Sequence, residues 1–327
     1  MYADTNWEYI MKLIKKIKEQ VYWFLRNHYV EWAKFHNPRR LADILYHDVF
    51  HKWIDWKNPQ TLNEKINWLA FCTDTTLWSV CTDKYAVREY VKSKGLEHIL
   101  IPIYGKWDKA EDIDFDSLPD KYVLKPNNGN SDLIVVTDKG KLDKQDAINR
   151  LNHSGAAKFI GSAQPHYLSI KPCFIAEKLL ETNNPLGLVD YKFKVFNGKP
   201  YCIGTWANRI PMTNTGDFGI YDLDWNPLTD WISNKAMNHV HIPKPECLNE
   251  MLEYAAKLGE DFEQVRVDFY EIDGKVYFGE LTFTSAAGRD NDYTDEALLK
   301  MGQQIKLDFS KKIKRHWNLT PYKKLLQ

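Results

Sequence analysis

Between Val265 and Phe283 the chain reads VRVDFYEIDGKVYFGELTF, two runs of alternating side chains around an Asp273-Gly274 pair. Alternation at period two on either side of such a pair is the pattern of a β-hairpin. A two-residue turn would pair Asp268 with Gly279 and send Asp268 and Glu280 to opposite faces. A three-residue loop, Ile272 to Gly274, gives Arg266, Asp268, Glu280 and Thr282 a common face, with the two carboxylates diagonal and roughly 7 to 8 Å apart. The other face would then carry Val267, Phe269, Tyr277, Leu281 and Phe283, a core-like surface. Two carboxylates and a hydroxyl are the hard oxygen ligands that Mg²⁺ takes when it also holds phosphates, and Arg266 would neutralise the anion they position. The competing reading is an exposed acidic pair on a solvated sheet face, which periodicity does not separate from the first.

Two further segments carry cations on strands. In Asp190 to Phe196 (DYKFKVF), Asp190, Lys192 and Lys194 fall on one face, with Tyr191, Phe193 and Val195 on the other. In YVLKPNNGNS, Lys125 ends an apolar strand that runs into an Asn/Gly/Ser loop, whose backbone N–H groups suit phosphate oxygens. Taken singly, each is matched by the ordinary case of a lysine on a solvated strand.

The elements that must position these groups follow from pattern. The spacing predicts strands at 121 to 125, 132 to 136, 173 to 180, 190 to 196, 199 to 206, 265 to 270 and 275 to 283, with a short one in ILIPIYG. Helices fit at 83 to 92, 143 to 152 and 246 to 259. TLNE at Thr61 to Glu64 is a capping box that opens another helix. A mixed α and β body beginning near residue 59 is the expectation, and 327 residues suggest about two domains.

Composition narrows the classes. Lys+Arg and Asp+Glu each total 44, so no global basic charge favours nucleic acid. Five scattered cysteines with no CxxC pair argue against a disulfide scaffold or a structural zinc site and point to reducing cytosol. No apolar run is long enough to span a bilayer. GxxxxGK[ST], GxGxxG and GxSxG are all missing, which removes the P-loop, Rossmann and α/β-hydrolase readings.

The first proline is Pro38 and the first glycine Gly95, so the opening segment reads as helix, with Thr5 and Glu8 as a capping box. Ile10, Ile14, Ile17, Val21, Phe24 and His28 recur at steps of three and four. Residues 11 to 40 hold eight basic side chains against two acidic ones, a balance of +6. Such a basic amphipathic helix suits an anionic membrane face or an acidic partner, contacted through residues 5 to 40. The simpler expectation is a stripe packed on its own protein with the lysines in solvent. His47 and His51 in HDVFH have the spacing of a metal-binding pair, but Asp48 stands where HExxH has its glutamate, and a surface helix pair is expected.

In order along the chain, these segments resemble the ATP-grasp superfamily. More narrowly, TLNEKINWL, DKYAVREYV, FDSLPDKYVLKPNNG, DYKFKVFNGKP and VRVDFYEIDGKVYFGELTF are similar to the TupA-like ATP-grasp family, associated with teichuronopeptide and polysaccharide biosynthesis, over roughly residues 59 to 305. The resemblance implies an α+β ATP-grasp fold, two α+β subdomains gripping ATP, preceded by an N-terminal helical segment at 1–58. The body would divide into an N-terminal part at 59–120, a small subdomain at 121–187 and a C-terminal subdomain at 188–327.

The same resemblance implies roles. Lys84 would lie on a helix and, with Lys125, Asn128 and Gly129, meet the nucleotide phosphates. Glu177, Lys178 and Leu180 would form the adenine hinge, with Glu177 accepting from the amino group. Lys192 would meet the γ-phosphate and Arg266 would stabilise the acyl-phosphate and tetrahedral stages. Asp268, Glu280 and Thr282 would hold Mg²⁺. Thr282 replaces the usual Asn, and NNGNS is poorer in glycine than many phosphate-covering loops. The implied activity is ATP-dependent ligation of a carboxylate, a sugar acid or amino acid, to an amine or saccharide substrate, in the cytoplasm or peripherally on the inner face of the membrane. A polysaccharide glycosyltransferase and a non-catalytic nucleotide-binding scaffold are the alternatives.

Overall fold

Helix starts in this chain are written in short polar side chains. Asn37 accepts from the Arg40 N–H at 3.0 Å ahead of α2 (Pro38–Phe50), which follows α1 (Ala3–His36). Thr61 and Glu64 close a reciprocal capping box at α3 (Leu62–Cys72). The Glu64 carboxylate accepts from the Thr61 N–H at 3.0 Å. After α4 (Thr76–Thr82), Asp83 accepts from the N–H groups of Tyr85 and Ala86, a turn that delays α5 to Val87–Ser93. Lys84 therefore sits in that turn and not on a helix, because the Asp83 side chain competes with helical bonding.

The structure, a computed structural model, describes residues 3–129, 133–154, 157–209, 216–233, 241–313 and 319, with the side chains of 3–10 and 157–158 outside that description. Asn130 and Ser131 of the NNGNS loop lie outside the described residues, as does the side chain of Thr5, which stands inside α1.

The remaining elements are β1 (Ile103–Trp107), β2 (Tyr122–Pro126), β3 (Ile134–Val136), α6 (Lys144–Asn152), α7 (Ala157–Gly161), β4 (Phe174–Lys178), β5 (Asp190–Phe196), β6 (Lys199–Ala207), β7 (Asp217–Tyr221), α8 (Leu248–Gly259), β8 (Gln264–Ile272), β9 (Lys275–Thr282) and α9 (Asp295–Gln304). They make a four-stranded sheet in the order β1-β4-β2-β3 and a five-stranded sheet in the order β7-β6-β5-β8-β9, all antiparallel. The smaller sheet buries Tyr122, Leu124 and Val136 against Ala147 and Leu151 of α6. The larger buries Phe193, Val267, Phe269, Leu281 and Phe283 in one core with Met251 and Leu258 of α8 and with the helices α2 to α5. Full burial of one such side chain contributes roughly 1.5 to 3 kcal/mol. Leu41, Tyr46 and Ile54 belong to this core as well.

The hairpin differs from expectation in an instructive way. Ile272 pairs with Lys275, so the turn is the two residues Asp273 (φ 50°) and Gly274 (φ 69°). The extra residue lies in the strand, where the register shifts so that Phe269 faces Phe278 and Asp268 faces Glu280. Gly279 is thus bulged from the ladder, and the two carboxylates are directly opposite rather than diagonal. The buried face ahead of the bulge is Val276 and Phe278; Tyr277 lies on the other face, across from Tyr270.

Two other expectations change. The apolar stripe of α1 does not pack on the body: residues 11 to 25 are all exposed, Val21 at 51% and Phe24 at 61%. Among the described residues the body meets α1 from Arg26, which pairs with Asp48, onward, with Val30, Ala33 and Phe35 packed. His51 lies past the end of α2 in a left-handed conformation (φ 57°), so it does not share a helical face with His47, which stacks on Trp53.

Candidate functional site

Three neighbouring strands of the larger sheet set two rows of side chains across one face. Lys192 on β5 is opposite Asp268 on β8, which is opposite Glu280 on β9; two residues along, Lys194, Arg266 and Thr282 form the next row. Alternation along each strand puts both rows on the same side.

Asp268 is the hub. It is 2% exposed, and its carboxylate accepts from Arg266 Nε at 2.7 Å, Arg266 Nη2 at 2.6 Å and Lys192 Nζ at 2.8 Å. Arg266 Nη2 also donates to Glu280 at 2.9 Å, and the Thr282 hydroxyl donates to the same Glu280 oxygen at 2.9 Å. Two directly opposed carboxylates would repel, and the guanidinium spanning both removes that cost. Burial pushes the Asp268 pKa up, but Arg266 and Lys192 outweigh it and hold the carboxyl below its usual range. Burial likewise opposes the Arg266 charge, and Asp268, Glu280 and Asp190 more than compensate, raising its pKa. Asp190 accepts from Arg209 at 2.5 Å and lies 3.3 Å from Lys192. Its charge and its hydrogen bond from Tyr270 keep that phenol far above its usual range. Lys194 turns away from this group, buried against Asp290 at 3.2 Å and Ser285 at 3.3 Å.

The smaller sheet contributes the face turned away from its own core. There Lys125 on β2 forms an ion pair with Glu177 on β4, both largely buried. Lys84 reaches the end of β2 from the turn before α5, its N–H donating to Asn127 O at 2.9 Å and its ammonium to Gly129 O at 2.6 Å. Burial lowers the Lys84 pKa; Glu280 across the cleft opposes the shift and Lys125 adds to it. Asn128 is 1% exposed, and among the described residues neither atom of its amide has a partner. The Lys178 N–H donates to Pro102 O at 2.9 Å, and Leu180 is half-buried just beyond β4.

Between the two sheets lies a cleft lined by Lys84, Arg88, Lys125, Glu177, Phe278 and Gly279, with an enclosed space of about 20 Å³. That is room for about one water.

The structure thus groups Lys84, Lys125, Asn128, Gly129 and Glu177 about the smaller sheet, and Lys192, Arg266, Asp268, Glu280 and Thr282 on one face of the larger; of these, Lys84, Lys125 and Glu177 line the cleft. Several neighbours escaped the sequence reading. Arg88, four residues beyond Lys84, lines the cleft and donates to Ile101 O at 2.8 Å. Tyr270 shares the period-two face of Arg266 and Asp268, a signal that was there to be used. Tyr167 lies near enough to Glu280 for that charge to add to the effect of burial in raising its pKa, yet nothing in its sequence neighbourhood points to the hairpin. Gly279 within an alternating strand is itself a bulge signal.

The donors on the hairpin are all oxygens, two carboxylates and a hydroxyl, which suits a hard divalent cation that takes its other ligands from phosphate and water. Among the described residues no group of three or more His, Cys, Asp or Glu side chains is placed to hold a metal ion, at the hairpin or elsewhere. All five cysteines are buried and free.

The sequence profile described as TupA-like ATPgrasp matches residues 64–306. No curated protein matches the sequence. Among solved structures, a D-alanine–D-alanine ligase from Bacillus anthracis is similar at 17% identity and a TM-score of 0.44, covering 72% of this chain and 69% of that one. The D-alanine–D-alanine ligase from Helicobacter pylori is similar at 14% identity and a TM-score of 0.42, covering 75% and 67%.

Proposed function

Because the chain belongs to the TupA-like ATP-grasp family, we propose that it is an ATP-dependent carboxylate–amine ligase, joining a sugar acid or amino acid to an amine through an amide in surface polysaccharide biosynthesis. The observation that carries this reading is a group of cations and carboxylates gathered at a narrow cleft between the two sheets. Phe278 and Gly279 of β9 line the cleft with Lys84 and Lys125, Glu280 lies near enough to Lys84 to act on its charge, and beside Glu280 both Lys192 and Arg266 are anchored on Asp268.

The reaction runs in two displacements. The donor carboxylate attacks the γ-phosphorus of ATP and ADP leaves; the amine then attacks the acyl carbon and inorganic phosphate leaves. Phosphoryl transfer asks the protein for positioning and charge neutralisation more than for covalent help. Lys125 and Lys84 hold the nucleotide's phosphates against the smaller sheet, with the Asn128 amide free to contribute. Lys192 takes the γ-phosphate side. Arg266, rigid in its double contact with Asp268, presents its outer N–H groups toward the reacting oxygens, where charge develops. Asp268, Glu280 and Thr282 would hold Mg²⁺, which when bound supplies neutralisation of phosphate charge. Removing one preorganised contact of this kind costs roughly 10² to 10³ in rate.

An ADP-release screen of uronic and amino acids against amino acids and amino sugars tests the proposal. ADP is expected only where a carboxylate and an amine are both supplied, and Glu280→Gln is expected to lower that rate about 10²-fold or more. Consumption of a nucleotide sugar without ADP would replace the ligase with a glycosyltransferase. Thermal protection by Mg-ATP with no turnover of any pair would leave a nucleotide-binding scaffold.

A further inference from the structure

The exposed stripe of α1 is unused by the cleft and calls for an occupant. Leu13, Ile14, Ile17, Val21, Phe24, Leu25 and Trp32 fall within one helical face, each 40% exposed or more. Lys12, Lys15, Lys16 and Arg26 occupy the opposite face, and Lys18 lies at the margin. Among the described residues no carboxylate pairs with Lys12, Lys15, Lys16 or Lys18, whereas Lys34 pairs with Glu31 at 2.5 Å and Arg26 with Asp48. Tyr22, Trp23, Tyr29 and Trp53 add exposed aromatic rings near the same end of the protein.

We propose that α1 lies flat on an anionic lipid bilayer, its apolar stripe in the headgroup region and its lysines toward the phosphates, holding the enzyme body at the membrane surface. A helix with an apolar face on one side, lysines on the other and aromatic residues suited to the interface is built for that position. The helix does not cross the membrane: no helix among the described residues is long and apolar enough. Charge selects the lipid over a second copy of the chain. Two α1 helices side by side would bring like-charged lysines together, and the positions flanking the Ile10, Ile14, Ile17, Val21, Phe24 seam offer Leu13, Lys18, Gln20 and Asn27 rather than complementary pairs. The seam also fails at His28 and Glu31, short of the three to four heptads a coiled coil needs. Residues 11 to 25, all exposed, leave about four turns of the helix, roughly 22 Å at 1.5 Å per residue, clear for contact.

The test uses the full chain and vesicles of phosphatidylglycerol with phosphatidylcholine, or of phosphatidylcholine alone. Flotation with the anionic vesicles, with a blue shift of tryptophan emission, is expected, and none with the zwitterionic ones. Joint reversal of Lys12, Lys15, Lys16 and Lys18 to Glu, and separately Ile17→Ser with Phe24→Ser, should each weaken capture at least about tenfold. Both sets alter exposed side chains, so the melting temperature of the body should hold. Undiminished flotation of the charge-reversed protein would overturn the proposal. So would a wild-type chain that ignores anionic vesicles and elutes as a dimer that the Ile17→Ser, Phe24→Ser pair turns into a monomer. None of these outcomes depends on ligase activity.

Discussion

Asp268 faces Glu280 directly across the β8–β9 ladder, because Gly279 is bulged out between Glu280 and Phe278. The opposition brings both carboxylates within reach of one guanidinium, Arg266, and leaves Asp268 buried while Glu280 points into the open side of the cleft, 41% exposed. A hairpin in regular register would instead send one of the pair to the hydrophobic core.

Gly279→Ala tests how much the site owes to that bulge. A methyl there would meet the Asp268 carbonyl at 3.0 Å and the Tyr270 ring at 3.3 Å, both held by the ladder. A loss of about 1 to 3 kcal/mol in urea unfolding is expected, as for other overpacked positions, with a larger proportional loss in ADP release. Unchanged turnover in the variant would show that the carboxylate pairing tolerates a shifted register.

Lys84→Met separates binding from folding. Burial already lowers the Lys84 pKa, so its charge is carried at a cost. Replacing it with an apolar chain of similar length should leave the nucleotide-free melting temperature level or higher. The same change should remove most of the thermal shift produced by Mg-ATP. A variant that melts early but keeps the full shift would contradict a role at the phosphates.

Asp292 supplies a pH signature in the loop after β9. Burial first, and then the neighbouring Asp290 charge, raise its pKa to about 6, with Lys194 opposing. A carboxyl whose folded value exceeds its unfolded value of about 3.9 stabilises the fold below that pH, and the contribution is lost as pH rises through about 6. Asp292→Asn does not titrate, so its stability relative to the wild type should climb between pH 4 and pH 7. Urea midpoints at four pH values would show it; a constant difference would refute the assignment.

The site was legible in proportion to how local its signals are. Alternation in VRVDFYEIDGKVYFGELTF, with its Asp-Gly pair, shows the hairpin and the shared face of Arg266, Asp268, Glu280 and Thr282. It does not show where the extra residue sits, since one residue added in the turn or in the strand gives the same parity beyond it. Only the side taken by Tyr277, Val276 and Phe278 distinguishes the two, and all three can be buried. The three-four repeat of α1 reveals a stripe but carries no information on what covers it. The delayed start of α5 was hidden because DKYAVREYV suits a helix throughout, and the Asp83 side-chain bonds that defer it are a property of one rotamer. Tyr167 reaches Glu280 only through the packing of the chain between β3 and β4, far away in sequence.

One contact remote from the cleft bears on the whole molecule. Lys65 at the start of α3 donates to Ile305 O, just past α9, at 2.8 Å, and Gly302 lies so close beneath that a methyl would strike Gln60 O at 2.0 Å. The two ends of the stretch matched at 64–306 therefore touch, through the Lys65 side chain and through the close approach of Gly302 to the backbone of Gln60 to Leu62. Topologically the body is closed at one seam, and the residues after Ile305 return over it, the Ile313 N–H donating to Cys72 O and the Leu319 N–H to Phe35 O, each at 2.8 Å. A mechanical load applied through α1 would pass first to α2 and to α7, the elements it packs against, before it reached that seam.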